Sequence, residues 1–126
     1  MAKLGDTFLL ANIDSHLYII ISDPAQDRDR IVMANFTSWR ADKDQSCIVE
    51  VGEHRFITRR SCVHYGEQRL IKLVAYEREL ASGRLILHDP VSGDLLKRIL
   101  DGAAMSPFLP LGNRQILVEQ GLIDRE

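Results

Sequence analysis

The stretch Ser15 to Pro24, SHLYIIISDP, decides how the rest of the chain is read. Leu17 to Ile21 is an unbroken apolar run, rich in β-branched and aromatic side chains. A run of that length bounded by turn formers predicts a strand buried on both faces rather than a helix. His16 stands at its start and Asp23-Pro24 at its end. Arg30 to Ser38, RIVMANFTS, repeats the design, with Thr37 and Ser38 just past its apolar core. A short connection full of Asp and Arg joins the two stretches, so an antiparallel pairing is expected. That pairing brings His16 and Thr37 to the same end of a sheet.

Working outward, Gly5-Asp6 opens a strand over Thr7 to Ala11, with Phe8 and Leu10 on one face and Leu9 on the other. Asn12 to Ser15 has the residue types of a turn. Cys47 to Val51 reads as a fourth short strand ended by Gly52, and Arg55 to Thr58 as a fifth. Ser61 to Tyr65 continues that strand or starts a sixth, and Gly66 to Arg69 turns the chain into the apolar run Leu70 to Ala75. Short strands with turn signals at close spacing are the pattern of a small barrel or sandwich. The last third changes period. A short helix is expected over Tyr76 to Ser82, ended by Gly83, followed by the apolar segment Leu85 to Leu87. Ser92 caps a helix with Leu95, Leu96, Ile99 and Leu100 at helical spacing and Gly102 as its stop; Asn113 caps a last one, ended by Gly121. A strand-rich body followed by helices predicts an α+β chain, mainly β.

The bounds are those of an ordinary globular domain. The 126 residues, 45% hydrophobic and 27% charged, suit one domain with one core. A net charge of -2, from 16 basic and 18 acidic residues, argues against strong non-specific nucleic-acid binding and leaves only a local basic patch for that purpose. No apolar run approaches the ~20 residues of a membrane span. The opening MAKLGDTFLL lacks a signal-peptide layout, so a soluble, cytoplasmic protein is expected. Cys47 and Cys62 have no metal-ligand spacing and read as reduced, buried, small hydrophobes.

An ordered series of residues resembles the PemK/MazF-like toxins of toxin–antitoxin systems. Gly5-Asp6 before an apolar strand is similar to that family's opening, and His16 to Ser22 resembles its second strand, usually an arginine-proline pair followed by apolar residues and a serine. Ile31 to Ser38 is similar to the next strand, which ends in a Thr/Ser pair. Ser61-Cys62-Val63, Arg69-Leu70-Ile71 and Gly83-Arg84-Leu85 resemble its later strands and its approach to the C-terminal helix. This chain has His16-Leu17 where the family carries arginine-proline, and the likeness ends at Gly102. The resemblance implies a small SH3-like barrel over residues 5–75 and a helical C-terminal part over 76–126, together one domain. It also implies a metal-independent endoribonuclease with no cofactor that cleaves single-stranded RNA by attack of the 2′-hydroxyl. A homodimer and an antitoxin partner are implied in the same way.

That chemistry needs a proton acceptor, a proton donor to the leaving 5′-oxygen and positive charge at the phosphate. Histidine suits either proton role near neutral pH. His16 and Thr37 are therefore the candidate catalytic residues, with Ser38 as a phosphate contact and Arg40 and Lys43 as sources of charge. The plainer reading is that His16 tops an edge of the barrel and Thr37-Ser38 does ordinary turn work. Arg55, Arg59 and Arg60 form the densest basic cluster, with Phe56 among them, and strand alternation sets His54, Phe56 and Thr58 on one face. Basic groups beside an aromatic suit an RNA groove, so His54, Arg55 and Arg59 join Ser38 and Arg40 as candidate RNA contacts; the plainer reading is a solvated strand end with Phe56 in the core. His64 reads as a half-buried strand residue or another catalytic group. The four histidines, 16, 54, 64 and 88, show no zinc spacing. A non-catalytic binding module, docking a protein or nucleic acid through the Trp39 loop, is the alternative.

Overall fold

The computed structural model describes residues 1–11, 16–67 and 70–124. The chain is α+β, with strands β1 (Thr7–Leu10), β2 (Tyr18–Ile20), β3 (Arg30–Ser38), β4 (Ile48–Val49), β5 (Ser61–His64), β6 (Leu70–Lys72) and β7 (Leu85–His88). Helices α1 (Leu73–Ser82), α2 (Gly93–Met105) and α3 (Leu111–Glu119) complete it. All the strand pairs are antiparallel, in the order β4-β5-β3-β2-β1-β7, and β6 also pairs with β3. Among the described residues that path stays open: no pairing joins β4 to β7 as a closed barrel would require.

The decisive pair forms as expected, with Tyr18 opposite Asn35 and Ile20 opposite Met33. Both faces are buried, because successive side chains of a strand point to opposite sides. Leu17, Ile19 and Ile21 join Val32, Ala34 and Phe36 in one core, which Leu95, Ile99 and Ala103 of α2 and Ile116 and Leu117 of α3 cover. Tyr18, Ile20, Ile31 and Met33 join Phe8 in the other, covered by Tyr76 of α1. Leu10 packs on this second core and Leu9 on the first, the alternation expected of β1. The β2–β3 connection is held by Asp27, whose Oδ1 accepts the N–H groups of Asp29 (2.9 Å) and Arg30 (3.1 Å). Those donors, the Asp29 N–H foremost, hold its carboxyl below the usual range.

Several boundaries differ from expectation. The expected strand over 55–58 is a set of turns, in which the Glu53 N–H donates to Glu50 O and the Ile57 N–H to His54 O. Backbone groups satisfied locally are not offered to a neighbouring strand. Helix α1 begins at Leu73, so the run Leu70 to Ala75 divides between β6 and α1. The segment Leu85 to Leu87 lies within β7, which pairs along the whole of β1, so the C-terminal part supplies a strand to the sheet. Ser92 caps α2 by accepting the Leu95 N–H, but α2 runs through Gly102 to Met105. Asn113, expected as a cap, is buried inside α3. The expected turn at Asn12 to Ser15, and Gln68 and Arg69 of the turn at 66–69, lie outside the described residues. Cys47 and Cys62 are buried free thiols, and burial pushes the Cys47 thiol up to about 11.

Gly102 owes its identity to close packing. A Cβ there would lie 2.7 Å from Tyr65 Oη, 2.8 Å from Cys47 Cβ and 2.9 Å from the Ser46 carbonyl oxygen. Substitution of Gly102 by alanine gains about 1 kcal/mol of helix propensity against an overpacking cost of about 1–3 kcal/mol. Because one clashing group is backbone, the balance falls on the side of loss. Urea unfolding should show Gly102→Ala less stable than the parent, whereas Gly93→Ala, with nothing within 4 Å of its Cβ, should not be destabilised. Equal stability of Gly102→Ala and the parent would contradict this packing.

Candidate functional site

Alternation along β3 sends Asn35 and Thr37 to the same face as Ile31 and Met33. Helix α1 covers only the apolar end of that face, through Tyr76. Past Met33 the face turns polar and a hollow of about 520 Å³ opens. Continuing the β2–β3 register by two residues sets His16 opposite Thr37, and the Phe36 N–H donates to Leu17 O at 2.9 Å between them. His16 and Thr37 both line the hollow. The structure brings together the two residues that the sequence singled out.

Two further groups complete the arrangement. Lys43 Nζ donates to Thr37 Oγ1 at 2.8 Å and to the Ser38 carbonyl oxygen at 2.9 Å. A threonine hydroxyl accepting from lysine still has its own proton to donate, so an ammonium and a hydroxyl donor stand side by side. The second group is His64, opposite Asn35 in the β3–β5 register and therefore on the hollow's face of the sheet. Its Nε2 lies 3.8 Å from Glu67 Oε1. The sequence reading of His64 left its role open; the β3–β5 register is the signal that puts it here. A smaller hollow of about 260 Å³ adjoins the first, sharing His16, Thr37 and Lys43, and is lined also by Ser38, Phe56 and Arg59.

The other expected contacts fall elsewhere. Arg40 lines neither hollow and forms a two-contact ion pair with Asp42, Nη2 to Oδ2 at 2.8 Å and Nε to Oδ1 at 3.1 Å. Arg55 is exposed and 3.6 Å from the Asp89 carboxylate. His54 is buried, with both ring nitrogens engaged. Its Nδ1 accepts the Phe56 N–H at 3.1 Å, which leaves the proton on Nε2 to donate to the Asp89 carbonyl at 2.6 Å. The strand alternation expected for residues 54–58 fails with the strand itself: His54 turns inward, while Phe56 is 40% exposed and its ring sits 4.1 Å from that of His88. Trp39 is held by its Nε1–H donating to Gln45 Oε1 at 2.7 Å, and the Arg60 guanidinium lies 5.6 Å above its ring.

No protein-family model, curated protein or solved structure matches the chain. What the site can do is therefore argued from its groups. Two imidazoles suit proton transfer, and an ammonium beside a hydroxyl suits an anion. Three carboxylates also border the larger hollow, those of Asp42, Asp44 and Glu67. Asp42 is engaged by Arg40, Asp44 by Ser106 Oγ at 2.5 Å and the Ser46 N–H at 2.9 Å, and Glu67 lies beside His64. Among the described residues no helix is long and apolar enough to cross a membrane.

His54→Ala should behave as a structural lesion. Losing a buried ring that joins the turn to Asp89 leaves the Phe56 N–H unpaired and takes one of two donors from the Asp89 carbonyl, which Thr7 Oγ1 also bonds, at about 1–3 kcal/mol. Urea unfolding should register that loss, while anion binding by the folded variant at Lys43 and Thr37, read by phosphate-dependent shifts of backbone amide NMR signals, should match the parent. An unchanged unfolding midpoint would contradict this role.

Proposed function

We propose that the protein is a PemK/MazF-like endoribonuclease that cleaves single-stranded RNA by 2′-hydroxyl attack without a metal ion. The observation that carries the reading is the convergence of His16, Thr37, Lys43 and His64 on one hollow. One imidazole takes the 2′-hydroxyl proton as the oxygen attacks the adjacent phosphorus. The other gives a proton to the departing 5′-oxygen, leaving a 2′,3′-cyclic phosphate and a 5′-hydroxyl end. Lys43 and the Thr37 hydroxyl bear on the charge that grows on the phosphorane oxygens. Histidine in place of the family's arginine thus transfers a proton role to this position, and Lys43 supplies the cation.

The finer fold belongs to the same proposal. A GD opening into β1, adjacent antiparallel β2 and β3, and a helix after β7 follow the order of the resemblance, and we read the open sheet as an SH3-like barrel parted between β4 and β7. Ser38 and Arg59, which border the smaller hollow, are the RNA contacts this reading retains. A cytoplasmic homodimer held in check by an antitoxin completes it.

Incubation of the purified protein with a long single-stranded RNA in EDTA should give discrete cuts ending in 2′,3′-cyclic phosphates. His16→Ala should slow cleavage by about 10²–10⁴-fold, the usual worth of a positioned acid or base. Lys43→Ala should slow it by about 10²–10³-fold, as for loss of one group that stabilises developing charge. Cleavage that is equal in the variants, or that EDTA abolishes, would sink the assignment. Intact RNA retained by the protein would favour a non-catalytic binding module.

A further inference from the structure

The segment between α2 and α3 enters the hollow at one residue. Phe108 lies in its wall and is 58% exposed, while Ser106 and Leu109 beside it are buried. A phenyl ring exposed to this extent adds little to folding, yet the backbone that carries it is braced from two directions. Ser106 Oγ donates to Asp44 Oδ2 at 2.5 Å and accepts the Phe108 N–H at 3.1 Å. From α3, Arg114 donates to the carbonyl oxygens of Ala104 at 3.0 Å and Ser106 at 3.1 Å. Asp44, through Ser106, and Arg114 therefore brace the backbone that carries a ring the core does not use. Gly66 tightens the same corner: a Cβ there would lie 3.4 Å from Phe108 Cβ and 3.3 Å from His64 Cε1.

The geometry points to Phe108 as a stacking platform for an RNA base, on the His64 side of the cleaved phosphate. This rests on the ribonuclease reading and extends it to a part of the chain beyond the family resemblance. The larger hollow joins an aromatic wall to a polar floor beside Lys43 and Thr37, and a nucleotide needs both, a flat apolar face for its base and donors for its phosphate. Its volume falls within the ~300–1,000 Å³ of small-ligand sites. A second, independent observation lies on that floor. Asn35 is 2% exposed, and its Oδ1 has no hydrogen-bond partner among the described residues. A buried acceptor left unpaired is uncommon, and the amino group of a stacked base is a donor of the kind it lacks. A second ring, that of Phe56, lines the smaller hollow, which shares Thr37 and Lys43 with the larger.

The test uses the full chain and a fluorescein-labelled 12-nucleotide single-stranded RNA of mixed sequence, 2′-O-methylated so that it cannot be cut. A parallel probe carries one 2-aminopurine. Phe108→Ala should weaken binding about 5- to 150-fold, the range for loss of one stacked base. Phe108→Leu, apolar but without a ring, should weaken it nearly as much, and Phe108→Trp should keep it. The parent should quench 2-aminopurine, and the alanine and leucine variants should not. Urea unfolding should place all three near the parent, since the ring is largely outside the core. Binding by Phe108→Ala or Phe108→Leu within twofold of the parent would overturn the platform, and so would failure of the parent to bind. Normal cutting of unmodified RNA with unchanged binding in Phe108→Ala would remove the platform and leave the ribonuclease. Ring-dependent binding with no cutting would do the reverse.

Discussion

The backbone hydrogen bonds that pair β2 with β3 determine which side chain reaches which layer. Because side chains alternate along a strand, a slip of one residue would exchange the contents of the two cores. Ile19 and Ile21 would turn toward α1, Tyr18 toward α2 and α3, and His16 would leave Thr37's side of the sheet. Apolar residues on both faces resist that exchange less by polarity than by shape. Tyr18 stacks on Phe8 with ring centroids 5.5 Å apart, and Tyr76 meets the same phenylalanine edge-on at 5.5 Å. An isoleucine would not reproduce those ring contacts. Register and aromatic packing support each other, and the polar end of the face inherits its geometry from both.

Beyond that pair, the hollow depends on where cover stops. Helix α1 ends its contact with the face near Met33, and Asn35 and Thr37 continue the strand into a region bordered by Lys43, Glu67 and Phe108. On the opposite face α2 and α3 cover the strand pair, and Tyr65 is drawn into that core, its hydroxyl donating to the Ile99 carbonyl at 2.7 Å. Burial drives the Tyr65 phenol above its ordinary range, which keeps it a neutral donor. One face is thus covered by two helices, and the other by one helix over its apolar end.

The strand pair and its two-faced burial were legible because an apolar run of β-branched residues between turn formers has one economical structure. The meeting of His16 with Thr37 followed from counting along that pair. The segment around His54 was not legible. Its HRFITRR pattern suits a strand by alternation, but its backbone groups pair within the turn, and no local residue type reveals that His54 will find the Asp89 carbonyl 35 positions away. Gly102 was misread for a similar reason. Glycine ends a helix when a left-handed residue is needed, as Gly83 does after α1 at φ 82°, but it also continues a helix where another chain segment crosses too closely for a side chain. Only the neighbour, remote in sequence, distinguishes the two. His64 and Phe108 were obscure for the same cause, since each reaches the hollow through a long-range contact.

Strands β5 and β6 lie along the same edge of β3. His64 pairs with Asn35 and Leu70 with Val32, so Met33 and Ala34 of β3 fall between the two ladders. The two segments amount to one strand beside β3, interrupted by an insertion. Each half is anchored by its own ladder, so the number of residues between the anchors can change without moving the register of either. Loop length is thermodynamically inexpensive, at about 0.6 kcal/mol per doubling. The rim of the hollow beside His64 is therefore the part of this protein free to lengthen, shorten or change composition while the sheet beneath it stays fixed, which makes it the natural place for related chains to diverge in what they admit.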